Sequence, residues 1–342
     1  DKHSTDEHAC PGTEIKATEE HSAIPVEATL IPPSHHIQLD PLHPRVLMHR
    51  RFGHAQSPRL DRTSEHVVGL SKVSSPSFCE CCIRAKLRRK NASRDPAARP
   101  QALEPLGQVS ADIVEFTIQD DETIASIDGK RYATVFVDGY SRYKYVYPMK
   151  TKDESIDAIK EFVAQVGKPK ELLTDQDKCY TGNPVKQYCL DNGIAQKHSP
   201  VYRASFNGLI ERSNRELKEI ARSMLLDSGL PPQFWTYALK CACHVSNRIS
   251  GIHGPTPYEL MTPVSHGRIP DVSSFKVFGS PCYSFVEKQH RLAHNYHAHA
   301  EKGVFLGYDE KSLDYLCYIP ARGKILPRLE VVCDESFQSG LF

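Results

Sequence analysis

The sequence predicts an α/β fold. A core with a mixed sheet flanked by helices is preceded by a small zinc-binding His/His/Cys/Cys module and followed by a small β-barrel-like domain. Three observations carry this. From about residue 102, strand-type and helix-type runs follow one another as three strands, a helix, a strand and more helices, the pattern of a sheet covered by helices. Upstream, His49, His54, Cys79 and Cys82 stand at metal-ligand spacing. After about residue 268, short β-type runs recur between Gly, Pro and charged turns. The boundaries read from these shifts are 1–40, a flexible lead-in; 41–95, the zinc-binding module; 100–265, the core; and 268–342, the β domain.

The elements follow in order. Residues 1–40 are rich in Thr, Glu, His and Pro and have no periodicity. Val109–Phe116, Arg131–Asp138 and Tyr143–Met149 read as three strands, the last two joined by the hairpin-type turn Gly139-Tyr140-Ser141-Arg142. Thr151-Lys152-Asp153-Glu154 reads as a capping box. Ile156, Ile159, Val163 and Val166 give the helical period that follows, and Gly167 and Pro169 stop it. Leu172–Asp175 is a fourth, apolar strand. Asn183-Pro184 opens a helix as cap and first-turn proline, closing at Gly193. A long amphipathic helix then carries Glu211 and ends at Asp227-Ser228-Gly229, and Phe234–Ile249 is a further helix. In the last region the β-type runs are Phe275–Phe278, Pro281–Val286, Gly303–Tyr308, Tyr315–Ile319 and Leu329–Cys333.

Bulk properties narrow the class. The 342 residues, 39% hydrophobic and 25% charged, suit a soluble globular protein of two or three domains. Net charge is +1, so a nucleic-acid partner would be met through local patches rather than overall basicity. No apolar run approaches the ~18–20 residues of a membrane span, and the polar N-terminus lacks a signal-peptide core. The first residue is Asp1 rather than Met, as expected of a fragment or a polyprotein product. Eleven scattered cysteines, an odd number, point to a reducing compartment.

Three carboxylates are the candidate reactive centre. Asp112 lies in a strand, Asp175 ends another, and Glu211 follows Asp175 after 35 intervening residues on the long helix. Two strands and a helix can bring such groups to one end of a sheet. Hard divalent cations prefer carboxylate oxygens, and a pair ~3.5–4 Å apart serves in-line phosphodiester chemistry. On the helix, Ile210, Leu217, Ala221 and Met224 share one face, while Glu211, Arg215, Lys218 and Arg222 share another ~120° away. A carboxylate followed by a basic stripe suits a metal at one end and phosphates along the rest. Against this, 42 acidic residues produce Asp–Glu pairs at any spacing by chance, and a charged helix face is ordinarily just solvated. Asp138 is a competing strand carboxylate, which its place before Gly139 assigns to capping the turn.

The His/Cys unit is read separately. Four residues lie between His49 and His54, two between Cys79 and Cys82, and twenty-four between the pairs. Two nitrogens and two thiolates suit tetrahedral Zn²⁺ and leave no open position, so the site is structural. On one straight helix the two histidines would point ~140° apart, so Gly53 is expected to break the helix and let His54 swing round. Cys81 is able to replace a neighbouring ligand. His294, His297 and His299 lack a partner Cys pair and read as loop. The basic run Arg84, Lys86, Arg88, Arg89, Lys90 closes the unit.

Taken together these residues resemble the integrase of copia-type LTR retrotransposons, a retroviral-type integrase cut from a Pol polyprotein. The segment Met48-His49-Arg50-Arg51-Phe52-Gly53-His54 is similar to the family's His-Arg-Arg-Leu-Gly-His, and Cys79-x-x-Cys82 with Ala85-Lys86 follows. Phe136-Val137-Asp138-Gly139-Tyr140-Ser141-Arg142, Asn207-Gly208-x-x-Glu211-Arg212, Ala221-Arg222-x-Met224-Leu225, Phe234-Trp235 and Thr256-Pro257-Tyr258-Glu259-Leu260 continue it. Val277-Phe278-Gly279, Lys302-Gly303-Val304-Phe305-Leu306-Gly307-Tyr308 and Val331-Val332-Cys333-Asp334-Glu335 complete it, over about residues 40–337.

The resemblance implies an RNase H-like core with catalytic Asp112, Asp175 and Glu211, Mg²⁺ or Mn²⁺ there, and Zn²⁺ at His49, His54, Cys79 and Cys82. It implies strand transfer of the element's cDNA 3′-OH ends into target DNA. Phosphates would be held by Arg84, Lys86, Arg88, Arg89, Lys90, Asn207, Arg215, Lys218 and Arg222. It also implies a homo-oligomer without membrane attachment, acting in the nucleus after a cytoplasmic virus-like particle. One departure stands out: where the family has Asn-Gly-Gly-Glu-Phe after the second Asp, this chain has Gln176-Asp177-Lys178-Cys179-Tyr180. The alternative is therefore a catalytically degenerate remnant that binds nucleic acid without enzymatic activity; a related RNase H-like nuclease is a third reading, opposed by the His/Cys unit. Protease and reverse transcriptase signatures are absent.

Overall fold

His43 and Pro44 set where the first helix begins. Proline occupies the first turn and the His43 ring accepts from the Arg45 N–H at 3.3 Å, opening α1 (Pro44–Arg51). Short helices α2 (Ser57–Thr63) and α3 (Glu80–Lys86) follow. The computed structural model describes residues 42–72, 76, 78–87, 102–117, 123–198, 204–251, 254–261, 269–286, 298–309, 312 and 314–336, with backbone alone at 204–207. The expected lead-in, Arg88, Arg89, Lys90, His294 and His297 lie outside these residues, as does the side chain of Asn207.

The core sheet is built from β1 (Gln108–Glu115), β2 (Tyr132–Asp138), β3 (Lys144–Met149), β4 (Glu171–Thr174) and β5 (Ala195–His198), in the order β3-β2-β1-β4-β5. β1, β2 and β3 pair antiparallel, while β4 and β5 join β1 in parallel. The sheet is mixed, as expected. Helix α4 (Ser155–Val166) crosses from β3 to β4, and α5 (Lys178–Thr181) and α6 (Asn183–Asp191) lie between β4 and β5. On one face Val109, Phe136 and Leu172 pack with Ile159, Phe162, Tyr180 and Val185 of these helices.

The opposite face is covered by α7 (Ala204–Ser228) and α8 (Trp235–Asn247). Ala133, Val135 and Val137 of β2 meet Ile210, Leu217, Ala221 and Met224 there, so the apolar face read from the helical period is the buried one. Because side chains alternate along a strand, Ser110, Asp112 and Val114 share this side of β1, opposite Val109 and Ala111. The same apolar cluster runs on to Phe52 and Leu60 of the His/Cys unit and to Val304 and Phe305 beyond the core. A short helix α9 (Pro257–Met261) ends the core region.

The last region forms an antiparallel sheet of β6 (Pro281–Phe285), β7 (Ala300–Tyr308), β8 (Tyr315–Ile319), β9 (Lys324–Arg328) and β10 (Val331–Cys333), ordered β10-β6-β7-β8-β9. Gly279 leads into it with φ +80°, and a Cβ there would sit 2.2 Å from Ser228 Cβ at the end of α7, so no other residue fits.

Several local expectations are corrected. Phe275–Phe278 forms no strand: Phe275 and Phe278 are buried in the core, and the Phe275, Lys276 and Val277 N–H groups donate to the Val272 carbonyl, the Tyr308 hydroxyl and the Glu335 carboxylate instead of to a neighbouring strand. β5 and β9 were not expected. Both are polar, partly exposed edge strands, and an edge lacks the alternating apolar signal. The Thr151–Glu154 capping box does not form. Lys152–Glu154 is a 3₁₀ turn, and Glu154 accepts from the Lys150 N–H at 2.9 Å instead. The cap of α6 is Gly182, with Asn183 inside the first turn.

Candidate functional site

β1 and β4 place the first two carboxylates. Their parallel register pairs Ser110 with Leu173, so two residues further on Asp112 and Asp175 stand at the same level, one on β1 and one just past β4. Leu172 belongs to the α4–α6 side, so Leu173 and Asp175 aim toward the α7 side with Asp112. Asp112 Oδ1 accepts from the Ile113 N–H and Oδ2 from Asn214 Nδ2, each at 2.8 Å. Burial, together with the charge of Asp175, pushes the Asp112 carboxyl up to about 6. Asp175 Oδ1 accepts from the Asp177 N–H at 3.1 Å, and its carbonyl lies 3.2 Å from His198 Nδ1.

The long helix expected to carry Glu211 does so: α7 begins at Ala204 and Glu211 sits in its second turn. It lines one groove with Asp112, Asn214, Arg215, Lys218 and Arg222. The expected carboxylate-then-basic stripe is therefore on one surface. Arg215 and Arg222 are exposed; the Arg222 guanidinium also donates to the Ala85 carbonyl at 3.3 Å. Burial lowers the Lys218 pKa, against the pull of Glu115 and Asp112. Burial first, and repulsion from the Asp175 charge second, make Asp112 hold its proton unusually tightly. A divalent cation relieves the same repulsion.

Asp138 is not part of this group. It is buried and caps the turn: Oδ2 accepts from the Ser141 N–H and hydroxyl, both at 2.7 Å, and Oδ1 from the Leu106 N–H at 2.8 Å. The Gln176–Tyr180 segment leads into α5, whose Tyr180 ring is fully buried in the core. Burial foremost, with Asp112 and Asp175 nearby, pushes that phenol well up.

The His/Cys quartet comes together more closely. One ligand atom each from His49, His54, Cys79 and Cys82 lies within 4.8 Å of the others, and among the described residues this is the one such group of three or more. Gly53 makes the quartet possible. Its φ of +58° and the +62° of His54 reverse the chain after α1. The two rings then meet edge to face at 4.9 Å instead of pointing apart. A Cβ on Gly53 would lie 2.6 Å from Ile220 Cγ2 of α7, so the position needs glycine for space as well as for angle.

His49 Nε2 is 3.3 Å from Cys82 Sγ and His54 Nδ1 is 3.4 Å from Cys79 Sγ. Burial lowers the His54 pKa, which keeps the ring neutral, and the Cys81 and Cys82 thiols hold Cys79 well below the usual thiol range. Neutral imidazole and thiolate are the forms that bind metal. Cys81 points instead to Asp227, with Sγ 3.8 Å from Oδ1.

The other expected phosphate contacts divide. Arg84 is exposed and pairs with Glu80 at 3.5 Å, one turn away. Lys86 is turned inward: its ammonium donates to the His54 carbonyl at 2.8 Å, and burial lowers its pKa. That engagement ties it to the finger rather than to a phosphate. Asn214, Asp227 and His198 are polar groups at the two sites that the sequence reading passed over. Asn214 had one available signal, lying one helical turn after Glu211 on the same face.

Residues 102–204 match the integrase core domain family, and residues 280–340 the retroviral polymerase SH3-like domain. The chain is 28% identical over 299 residues to the retrovirus-related Pol polyprotein from transposon TNT 1-94 of Nicotiana tabacum, covering 85% of this chain and 21% of that protein. It is 30% identical over 297 residues to the corresponding polyprotein from transposon RE2 of Arabidopsis thaliana, covering 84% and 19%. The chain thus spans about a fifth of the length of these curated relatives. Among solved structures, the HTLV-2 integrase catalytic core domain in complex with magnesium aligns at 21% identity and TM-score 0.39, over 47% of this chain and 100% of that one. Residues 102–204 thus match the integrase core domain family, and the chain is homologous to the Pol polyproteins of copia-like transposons.

Proposed function

We propose that this integrase-core chain performs strand transfer with Asp112, Asp175 and Glu211 as its metal-holding carboxylates. The observation that carries the reading is the level placement of Asp112 and Asp175 on neighbouring parallel strands, with Glu211 sharing the Asp112 groove. In the reaction the 3′-oxygen of the element's cDNA bonds to a target phosphorus, the target's 3′-oxygen leaves, and the attacking hydroxyl gives up its proton. Mg²⁺ or Mn²⁺, when bound, activates the attacking hydroxyl and neutralises the leaving oxygen. The chain's own part is positional. Asn214 fixes the Asp112 carboxylate through its 2.8 Å hydrogen bond. Arg215, Lys218 and Arg222 line the groove beyond it and would carry DNA phosphates, while exposed Arg84 would do so from α3. Zn²⁺ at His49, His54, Cys79 and Cys82 would be structural, since all four ligands come from protein.

The partners are the element's cDNA ends and target DNA, bound by an assembly of several copies in the nucleus. No helix among the described residues is long and apolar enough to cross a membrane. The test is a Mg²⁺-dependent strand-transfer assay on oligonucleotides with defined ends. The parent chain joins them; Glu211→Gln, at an exposed position, abolishes joining while the far-UV spectrum is unchanged. Persisting activity in that variant removes Glu211 from the site.

A second reading is a remnant that binds DNA without joining it. The Gln176–Tyr180 segment, which runs into α5 without the family's glycines, favours it. It predicts salt-dependent DNA binding by the parent with no strand transfer in Mg²⁺ or Mn²⁺.

A further inference from the structure

We infer that Asp227, at the C-terminal end of α7, is a positioning residue for His54, so that the metal site of the small His/Cys unit is completed by a carboxylate from the integrase core. This rests on reading that quartet as a metal site. The two histidines face the thiols with different nitrogens. His49 uses Nε2, which leaves Nδ1 against the Ala55 carbonyl at 2.8 Å. His54 uses Nδ1, which leaves Nε2 facing Asp227 Oδ2 at 3.8 Å. Each ring therefore has an acceptor behind it, one a backbone carbonyl and one a carboxylate. At 3.8 Å the second contact is charge attraction rather than a hydrogen bond.

Asp227 is itself held in place. Arg50 Nε donates to the same Oδ2 at 2.8 Å, and Arg50 Nη1 donates to the Glu335 carbonyl at 2.9 Å. Arg51 pairs with the Glu335 carboxylate, which also accepts from the Val277 N–H. The two arginines between the histidine ligands thus bind the finger to the end of α7 and to the C-terminal segment together. A carboxylate behind a ligating imidazole fixes its tautomer and raises its basicity, and losing such a partner typically costs about 10–100-fold in metal affinity. Metal affinity of the finger then depends on the Asp227 carboxylate that stands behind His54.

The test titrates Co²⁺ into the full chain, reads the d–d absorption bands, and measures Zn²⁺ affinity by chelator competition. Asp227→Ala is expected to weaken binding by about 10–100-fold and to shift the cobalt bands; Asp227→Asn, of the same shape without the charge, falls between it and the parent and carries the comparison if the alanine variant does not fold. Arg50→Met breaks the same ion pair but leaves the carboxylate behind His54, so its affinity stays close to the parent's. Asp227 variants that bind as tightly as the parent overturn the inference. So does an Arg50→Met loss as large as that of Asp227→Ala, which assigns the effect to docking alone. A parent chain without a tetrahedral cobalt spectrum overturns the metal reading itself.

Discussion

The His/Cys quartet and the carboxylate groove are built on opposite plans. In the quartet the histidines are buried, the ligand atoms lie within 4.8 Å, and the rings are backed by Ala55 and Asp227. In the groove Glu211 is exposed and Asp112 half-buried, as is Asp175 on the neighbouring chain segment, and the Asp112 and Asp175 oxygens are occupied by Ile113, Asn214 and Asp177. The difference is one of charge. Neutral imidazoles and one thiolate held by neighbouring thiols can be folded into contact without a metal, whereas carboxylates brought together repel and must stay apart or take up protons. A closed site suits structure and an open one suits a substrate that must enter.

The largest effect is expected at the quartet. Chelation of the metal, or Cys82→Ser, should remove a large part of the ~10–16 kcal/mol that structural zinc supplies in zinc-finger peptides. Calorimetry with and without chelator should show the melting temperature fall, since Phe52 and Leu60 lose their hold on the shared core. In the groove, Glu211→Gln should cost several kcal/mol of transition-state stabilisation, roughly a thousandfold in joining rate. Its melting temperature should be unchanged, the reverse of the Cys82 result. Between the two sites lies Glu216, which accepts from Arg59 and pairs with buried Lys144 at 3.2 Å. Burial pushes its carboxyl up, but Lys144 and Arg59 outweigh that and hold it at about 2. Glu216→Ala leaves buried Lys144 with its Ser246 hydrogen bond but without its counter-charge, and should cost about 3–5 kcal/mol in denaturant unfolding. A depressed carboxyl contributes stability above its unfolded pKa, so this contribution should fade as pH falls from about 4 toward 2.

Asp112 has the opposite sign. Its folded pKa of about 6 lies above the unfolded 3.8, so the folded state loses stability as pH rises through that window. Asp112→Asn should therefore raise stability at pH 7 by roughly 1–3 kcal/mol and by little at pH 4. Equal gains at both pH values would show that burial and the Asp175 charge do not raise the Asp112 carboxyl in the folded state.

Much of this was legible in the chain. The apolar face of α7 followed from Ile210, Leu217, Ala221 and Met224 at helical spacing, and strands β1 to β4 from apolar runs buried on both faces. β5 and β9 were not legible, because a half-exposed edge strand is paired by backbone and leaves little side-chain pattern. Asp138 could be assigned to its turn because Gly139 follows it directly. Lys86 could not be separated from the other basic residues, because the His54 carbonyl that engages it is distant in sequence.

By itself, then, the sequence determined which residues could be ligands and where the chain must reverse, since the Cys-x-x-Cys spacing and the His–Gly–His break are local properties of the backbone. Tertiary structure alone decided how near those ligands stand and what lies behind them. The level of Asp112 with Asp175 depends on a parallel register, and the approach of Asp227 to His54 on the seating of one helix against another. Both arise from burying a shared apolar surface, which acts between segments far apart along the chain and carries no local signature.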